Sequence, residues 1–150
     1  MAPISDLAAH TGYLLRMVSN AVSQEFARKV AGEGVTMSEW VMLRSLLDDQ
    51  VTPPSALARK MGMTKGAISK LADRLLDKGL IERTENPSDK RAHGLSLSSL
   101  GTQKVPVLAA LADANDAAFF AALDAEEHER LRDLLDMLIQ QHGLTAMPVD

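Results

Sequence analysis

Two short helical patterns, separated by the two-residue turn Gly62-Met63, limit what this chain can fold into more than any other feature. The second pattern, residues 64–79, begins at a capping residue, Thr64, and ends with a lysine and a glycine. The first, residues 52–61, offers Thr52 as a cap and two prolines in its first turn. Helical spacing in the second pattern predicts a narrow buried stripe of Ile68, Leu71, Ala72 and Leu75. Together the patterns predict a helix-turn-helix.

Two stretches of alternating apolar and polar residues follow the second helix and predict a small hairpin. The first begins at Leu80 and Ile81, and the second covers residues 93–97. The sequence Asn-Pro-Ser-Asp at residues 86–89 has the composition of a turn. A helix-turn-helix followed by a hairpin is a winged helix, so we expect a mainly α fold with a small β-wing.

The helix-turn-helix, the hairpin and the residues just after it contain Leu57, Ala58, Met61, Gly62, Met63, Thr64, Ser69, Lys70, Arg74, Leu75, Lys78 to Arg83, Pro87, Asp89, Lys90, Arg91, Leu95 to Ser98 and Gly101. These residues resemble the multiple antibiotic resistance regulator (MarR) family. The resemblance covers residues 35–101, and the helical flanks fit the remainder, so residues 1–150 are expected to form a single domain. The resemblance implies a dimeric winged helix-turn-helix regulator that binds double-stranded DNA.

The charge of the chain is distributed unevenly. The net charge is -4, which by itself disfavours a nucleic-acid binder. Residues 59–91, however, contain nine Lys or Arg and five Asp or Glu, a local charge of +4, so the remainder carries -8. A basic segment in an acidic chain is typical of a protein that meets phosphate on one surface only.

The predicted DNA contacts lie in this basic segment. Arg and Lys on the exposed face of the second helix can pair with guanine or phosphate, and Ser can serve either. By resemblance, Arg91 enters a groove at the wing tip, Asp89 holds its guanidinium and Lys90 contacts phosphate. A solvated helix face and an ordinary turn salt bridge are the alternatives. The predicted DNA-binding residues are Thr64, Lys65, Gly66, Ser69, Lys70, Arg74, Lys90 and Arg91.

Helical patterns on both sides of the winged helix, residues 5–30 and 98–143, carry more apolar surface than the core can cover. Ser98 is the expected cap of the helix after the wing, and Asp124 opens a further helix with a dense apolar stripe. These terminal helices are therefore predicted to form a homodimer interface, as the resemblance also implies. Two recognition helices related by a twofold axis would bind a pseudo-palindromic operator.

Trp40 lies in a helix that a capping box, Thr36 to Glu39, is expected to open. Its helical phase with Leu43 and Leu47 favours packing in the core. The resemblance offers a second interpretation, because small anionic or phenolic effectors of the family often occupy a crevice between the winged core and the dimer helices. The candidate effector-binding residues, three of them expected on the first helix, are His10, Arg16, Met17 and Trp40.

Several other classes of protein are disfavoured. Cysteine is absent, which excludes disulfides and thiol redox sensing. We see no secretory leader and no apolar run near the roughly twenty residues of a membrane span, so we expect a cytoplasmic protein. His128 and His142, about 21 Å apart along one predicted helix, cannot share an ion, and we expect no metal and no cofactor. A metal site that pairs His10 with a distant carboxylate is the alternative. No catalytic triad or phosphate loop is apparent, so we do not expect an enzyme.

The hypothesis from sequence is a sequence-specific DNA-binding transcriptional regulator, a dimeric repressor released by an anionic or aromatic small molecule. The alternative is a winged-helix adaptor that binds another protein without specific DNA binding. The adaptor predicts no requirement for Arg91 and little salt dependence.

Overall fold

The computed structural model describes the backbone of residues 1–86 and 89–149 and the side chains of residues 1–85 and 93–149. This part of the chain forms six α-helices and one two-stranded antiparallel sheet, preceded by a 3-10 turn at Leu7–Ala9. The expected fold class, mainly α with a small β-wing, is confirmed. In chain order the elements are α1 Thr11–Ala31, α2 Met37–Leu47, α3 Pro54–Met61, α4 Lys65–Asp77, β1 Ile81–Asn86, β2 Asp89–Leu97, α5 Ser99–Phe119 and α6 Ala125–Gln141.

Side-chain caps begin four of these helices, as the sequence predicts. Thr36 opens α2 with a full capping box, in which Thr36 Oγ1 accepts from the Glu39 amide and the Glu39 carboxylate accepts from the Thr36 amide. Thr64 caps α4, Ser98 caps α5, and Asp124 opens α6 with a second capping box. Each cap satisfies amides that the first helical turn leaves without partners.

The start of α3 differs from the prediction. Thr52 is not its cap, because the backbone of Thr52 forms an isolated bridge with β2. The Thr52 amide donates to the Leu95 carbonyl at 2.9 Å, and the Leu95 amide donates back at 2.8 Å. Pro53 takes the N-cap position instead, without a side-chain hydrogen bond, and Pro54 begins the helix. The base of the wing is therefore joined to the segment that precedes the helix-turn-helix.

The core lies where α2, α3, α4, the wing and α5 meet. The predicted stripe on α4 is buried in it, with Ile68 and Leu75 fully enclosed. Gly62 ends α3 in the left-handed conformation at φ 63°, which lets α4 leave at a new angle. On α2, Leu43 is buried as expected, but Leu47 is 44% exposed. The buried face of α2 is centred on Glu39, Met42, Leu43 and Leu46, which turns Leu47 toward solvent.

The wing is one hairpin whose base is fixed tightly to α5. Ile81 pairs with Leu97 at the base, and the register shifts between Glu85 and Asn86 near the tip. Ser98 donates from its amide to the Leu80 carbonyl at 3.1 Å and from its hydroxyl to the Gly79 carbonyl at 2.6 Å. These bonds hold the first turn of α5 against the start of the hairpin.

The terminal helices are only partly used by their own chain. The first helix was predicted over residues 5–30, but α1 begins at Thr11, because His10 is extended and separates α1 from the short 3-10 turn. Within α1 only Phe26 and Val30 are buried, and α6, whose residues are all described, has none buried. The main contacts of α1 are with α5, with α2 and with the 3-10 turn that precedes it. Much apolar helical surface is thus left uncovered in one chain.

The chain returns to the winged helix after α6. Met147 and Val149 pack against the core, and a Cβ at Gly62 would lie 4.0 Å from the Cβ of Ala146. The C-terminal tail, residues 144–149, therefore lies against the turn of the helix-turn-helix. Across the described ranges, no helix combines the length and apolar character of a membrane span.

Candidate nucleic-acid interface

The face of α4 that points away from the core carries the predicted DNA-binding residues together. Lys65, Gly66, Ser69, Lys70 and Arg74 all lie on this exposed face. The burial of the opposite stripe determines this orientation, because residues three and four apart share one side of a helix. We call these five residues the α4 face.

Local structure explains one member of the predicted set, Thr64, but not another, Gly66. The hydroxyl of Thr64 accepts a hydrogen bond from the Ala67 amide at 3.1 Å, so this exposed residue is already used as a cap. Gly66 has no neighbour within 4 Å of where a Cβ would lie, so packing within its own chain does not require glycine there. Close approach of a nucleic acid to the backbone of α4 would explain a glycine at this position.

Arg74 connects the α4 face to the start of α2. Its side chain is 52% exposed, and Nη2 lies 3.4 Å from Thr36 Oγ1 and 4.0 Å from Glu39 Oε1. Part of the guanidinium is therefore engaged within the protein, while the rest faces solvent. Because the guanidinium is planar and carries five N–H donors, contacts on one side leave other donors available.

Lys78, expected only as a cation at the end of α4, turns toward the protein. Its Nζ donates to both carboxylate oxygens of Glu39, at 2.7 and 2.9 Å, and to the Gly34 carbonyl at 2.8 Å. Sequence reasoning missed this cluster because it recognised Glu39 only as half of a capping box. The spacing of Arg74 and Lys78, four residues apart on one helix, was the available signal.

Glu39 is fully buried and ionised within this cluster. Burial raises the pKa of its carboxyl, but hydrogen bonds from Lys78 and from the backbone and hydroxyl of Thr36, with the charge of Lys78, outweigh that effect. The pKa therefore lies below the ordinary carboxyl value. The buried charge is compensated where it lies, beneath the C-terminal half of α4.

Arg83 adds a cation that the predicted set did not include. It is exposed on β1, and its Nη2 lies 3.6 Å from Asp73 Oδ1 on α4. The pair links the wing to the recognition helix on the outside of the molecule. The alternation of the strand could have indicated an outward Arg83, but not its partner.

The predicted wing residues lie on the second strand of the wing. Asp89, Lys90 and Arg91 lie in β2, but their side chains fall outside the described residues. Their backbone lies at the end of β2 that is furthest from Leu97, where Asp89 pairs with Asn86. The groove-entering role of Arg91 and the supporting role of Asp89 stay predictions.

The candidate effector residues occupy different environments. Trp40 is half-buried and packs edge-on against Phe26, with ring centroids 6.3 Å apart, as the core-packing interpretation expects. Arg16 and Met17 are exposed on α1, and His10 is exposed just before it instead of within it. Among the side chains placed by the structure, no three His, Asp or Glu lie close enough to hold a metal ion.

Comparison with known proteins agrees with this geometry. The model of the MarR family matches residues 35–93. A protein of Thauera aromatica named for transcriptional regulation of the hcr operon is 31% identical over 144 residues, covering 95% of this chain and 87% of that protein. The HTH-type transcriptional repressor MdtR of Bacillus subtilis is 31% identical over 75% of this chain and 73% of the repressor.

A solved structure extends the likeness to three dimensions. A mutant MarR of E. coli, crystallised in complex with operator DNA, matches with a TM-score of 0.75 and 25% identity, covering 85% of this chain and 92% of that chain. The family match lies over the helix-turn-helix and wing, and the relative from Thauera aromatica extends it to nearly the whole chain. The chain belongs to the MarR family.

Proposed function

We propose that this protein is a dimeric transcriptional repressor that binds double-stranded DNA at a pseudo-palindromic operator in the cytoplasm. The observation that carries the proposal is the α4 face. Lys65 and Lys70 are exposed there without an ion-pair partner among the described residues. Cations held on a rigid helix, and not neutralised within the protein, are suited to phosphate oxygens and base edges.

In this proposal α4 enters the major groove and the wing reaches the adjacent minor groove. Ser69 and Lys70 lie in the middle of the exposed side of α4 and would meet base edges or phosphate. Gly66, near the helix start, would allow the backbone to approach the DNA closely. The E. coli relative crystallised with operator DNA supports the binding of operator DNA.

A second copy of the chain supplies the other half of the proposed assembly. The apolar side chains on α1 and α6 that one chain leaves exposed are the support for a homodimer, since covering such surface contributes roughly 25 cal/mol per Å². A twofold dimer would place its two recognition helices about 34 to 36 Å apart, one turn of DNA. The exposed residues are Tyr13, Leu14, Leu15, Met17, Val18, Leu134, Leu135, Met137, Leu138 and Ile139.

Release of the operator completes the proposal. An anionic or aromatic small molecule that prefers a different spacing of the two winged lobes would move α4 out of register with the grooves. A hundredfold loss of affinity requires about 2.7 kcal/mol of coupling between the two ligands. The support for an effector is the resemblance to the family. Trp40 itself packs against Phe26 in the core.

The decisive experiment compares operator and random DNA across a range of salt concentrations. Duplexes selected from a random library, and an unselected duplex of equal length, are titrated by fluorescence anisotropy between about 50 and 300 mM salt. We expect the selected duplex to bind about a thousandfold more tightly, with a steep salt dependence of about 0.9 in slope for each phosphate contact.

A matched pair of variants ties the result to α4. Lys70→Ala should weaken binding and reduce the salt slope, by about 0.9 in each subunit if Lys70 contacts phosphate. Arg28→Ala removes one positive charge from an exposed position on α1 and should leave both quantities close to the wild-type values. Equal effects of the two variants would mean that α4 has no special role in binding.

The adaptor remains the second candidate, and the same titration tests it. A winged helix that serves a protein partner would show no selected sequence, a shallow salt slope and no difference between Lys70→Ala and Arg28→Ala. Lys65 and Lys70, exposed on the α4 face and without an ion-pair partner among the described residues, favour DNA over this alternative.

A further inference from the structure

The buried carboxylate of Glu39 lies beneath the DNA-binding face without belonging to it. It is the fully buried acid among the described residues, at the third position of α2. A capping box needs only a hydrogen-bond acceptor at this position, which Gln supplies as well as Glu. The cap therefore does not explain why a full negative charge is buried here, and burying a charge is costly unless it is paired.

The charge is paired with the recognition helix. Lys78 donates to both oxygens of Glu39 and to the Gly34 carbonyl, which connects the C-terminal end of α4 to the start of α2. Arg74, one turn earlier, approaches the same carboxylate at 4.0 Å and the Thr36 hydroxyl at 3.4 Å. One acid thus attracts two cations on the same side of α4.

The two cations are affected differently. The ammonium group of Lys78 donates hydrogen bonds to Glu39 and Gly34, so it points toward the protein. Arg74 keeps half of its side chain exposed, and the contacts at Nη2 limit how the plane of its guanidinium can turn. An arginine of fixed orientation can pair with a guanine edge through two bonds, whereas a freely turning one is equally satisfied by any phosphate.

We propose that Glu39 is a positioning residue for sequence recognition, which holds Arg74 so that its free edge leaves α4 in one orientation. The inference rests on the proposed function, and it assigns Glu39 to discrimination between DNA sequences instead of to general affinity. Without the carboxylate, Arg74 would still attract phosphate but would read the base edge less well.

The test uses Glu39→Gln, which keeps an acceptor for the cap and removes the charge. Binding of the purified full-length variant to the selected operator and to random duplex is measured by anisotropy. We expect the ratio of the two affinities to fall at least tenfold, while random-duplex affinity stays within about twofold of wild type. Glu33→Gln is the control, because it removes the charge from a more exposed ion pair, Lys104 to Glu33 at 2.6 Å, which involves neither Arg74 nor Lys78, and it should leave the ratio unchanged.

The same substitution in a chain that carries Arg74→Ala distinguishes a positioning role of Glu39 from a role in stabilising the fold. If Glu39 acts through Arg74, then Glu39→Gln should change the ratio less than twofold in a chain that already carries Arg74→Ala. Equal losses on both duplexes, or the same loss in the Arg74→Ala background, would overturn the inference. A wild-type ratio near one overturns the proposed function itself, and this inference with it, before any variant is compared.

A conservative variant keeps the inference testable if Glu39→Gln does not fold. Arg74→Lys retains the positive charge at the same position and removes the planar guanidinium. Its affinity ratio should fall at least tenfold with the random-duplex affinity preserved. An unchanged ratio would show that no oriented guanidinium is required at position 74, which contradicts a positioning role for Glu39.

Discussion

Two glycines in the first turns of two helices should respond oppositely to the same substitution. A Cβ at Gly101, in α5, would lie 1.9 Å from the Leu80 carbonyl oxygen and 3.0 Å from its carbon. Both distances are far below ordinary contact, and the blocking atoms are backbone. At Gly66, in α4, nothing lies within 4 Å. Both substitutions add one methyl group in the first turn of a helix, so a difference in stability between them reports the surroundings of the two glycines.

The cost at Gly101 follows from what must move. To accept the methyl group, α5 has to shift away from Leu80, but Ser98 holds it there through bonds to Gly79 and Leu80 and through its own cap to the Gly101 amide at 3.0 Å. Weakening three such bonds, at about 0.5 to 1.5 kcal/mol each, predicts a loss of about 2 to 4 kcal/mol for Gly101→Ala. In a chain of this size that lowers Tm by roughly 5 to 15 °C.

Gly66→Ala should instead raise the free energy of unfolding by up to about 1 kcal/mol, because alanine is the better helix former and meets no obstacle. Thermal unfolding followed by circular dichroism, at one fixed protein concentration, measures both variants. If Gly101→Ala unfolds at the wild-type temperature, the contact with Leu80 is not the constraint described. If Gly66→Ala loses operator affinity while gaining stability, DNA approaches this residue closely.

Three further outcomes follow from the exposed apolar side of α6, the buried carboxylate of Glu39 and the wing. Leu138→Glu should shift the protein toward monomer in light scattering, whereas Gln140→Glu, which adds the same charge to the opposite side of α6, should not; equal behaviour would place the interface elsewhere. The pKa of Glu39 is lower in the folded state, so its charge stabilises the protein at pH 7 and loses this effect as the carboxyl is protonated. The difference in free energy of unfolding between wild type and Glu39→Gln, measured by urea titration, should therefore be largest near pH 7 and shrink as pH falls below about 4.3. A difference that does not change with pH would contradict this. Arg91→Ala should lower operator affinity at least tenfold with Tm unchanged, and unaltered binding would remove the wing from recognition.

Local rules were sufficient for most of the architecture. The α4 stripe is buried as its helical spacing predicts, and Thr36, Thr64, Ser98 and Asp124 cap the helices they were expected to open. These features depend on neighbours within a few residues, so they can be read from the sequence alone. The orientation of the α4 face follows from the same stripe.

The errors arise where distant segments compete for a residue. The Thr52 backbone is used by Leu95, more than forty positions away, so the residue is unavailable as a cap. Lys78 reaches Glu39 and Gly34 because α4 packs beside the start of α2. The four-residue spacing of Arg74 and Lys78 indicates that both lie on one side of α4, but not which acid they meet. Leu47 fits a helical stripe but falls just outside the face that the neighbours of α2 cover.

The return of the C-terminal tail to the winged helix gives a practical way to observe binding. Pro148 is exposed between two residues, Met147 and Val149, that pack against the core, and nearby Ala146 approaches Gly62. Since the chain contains no cysteine, Pro148→Cys would carry a single fluorophore without any background labelling. The dye would stand close to the turn that leads into α4, yet on a different segment. Its emission would report the arrival of DNA without altering any residue proposed to touch it.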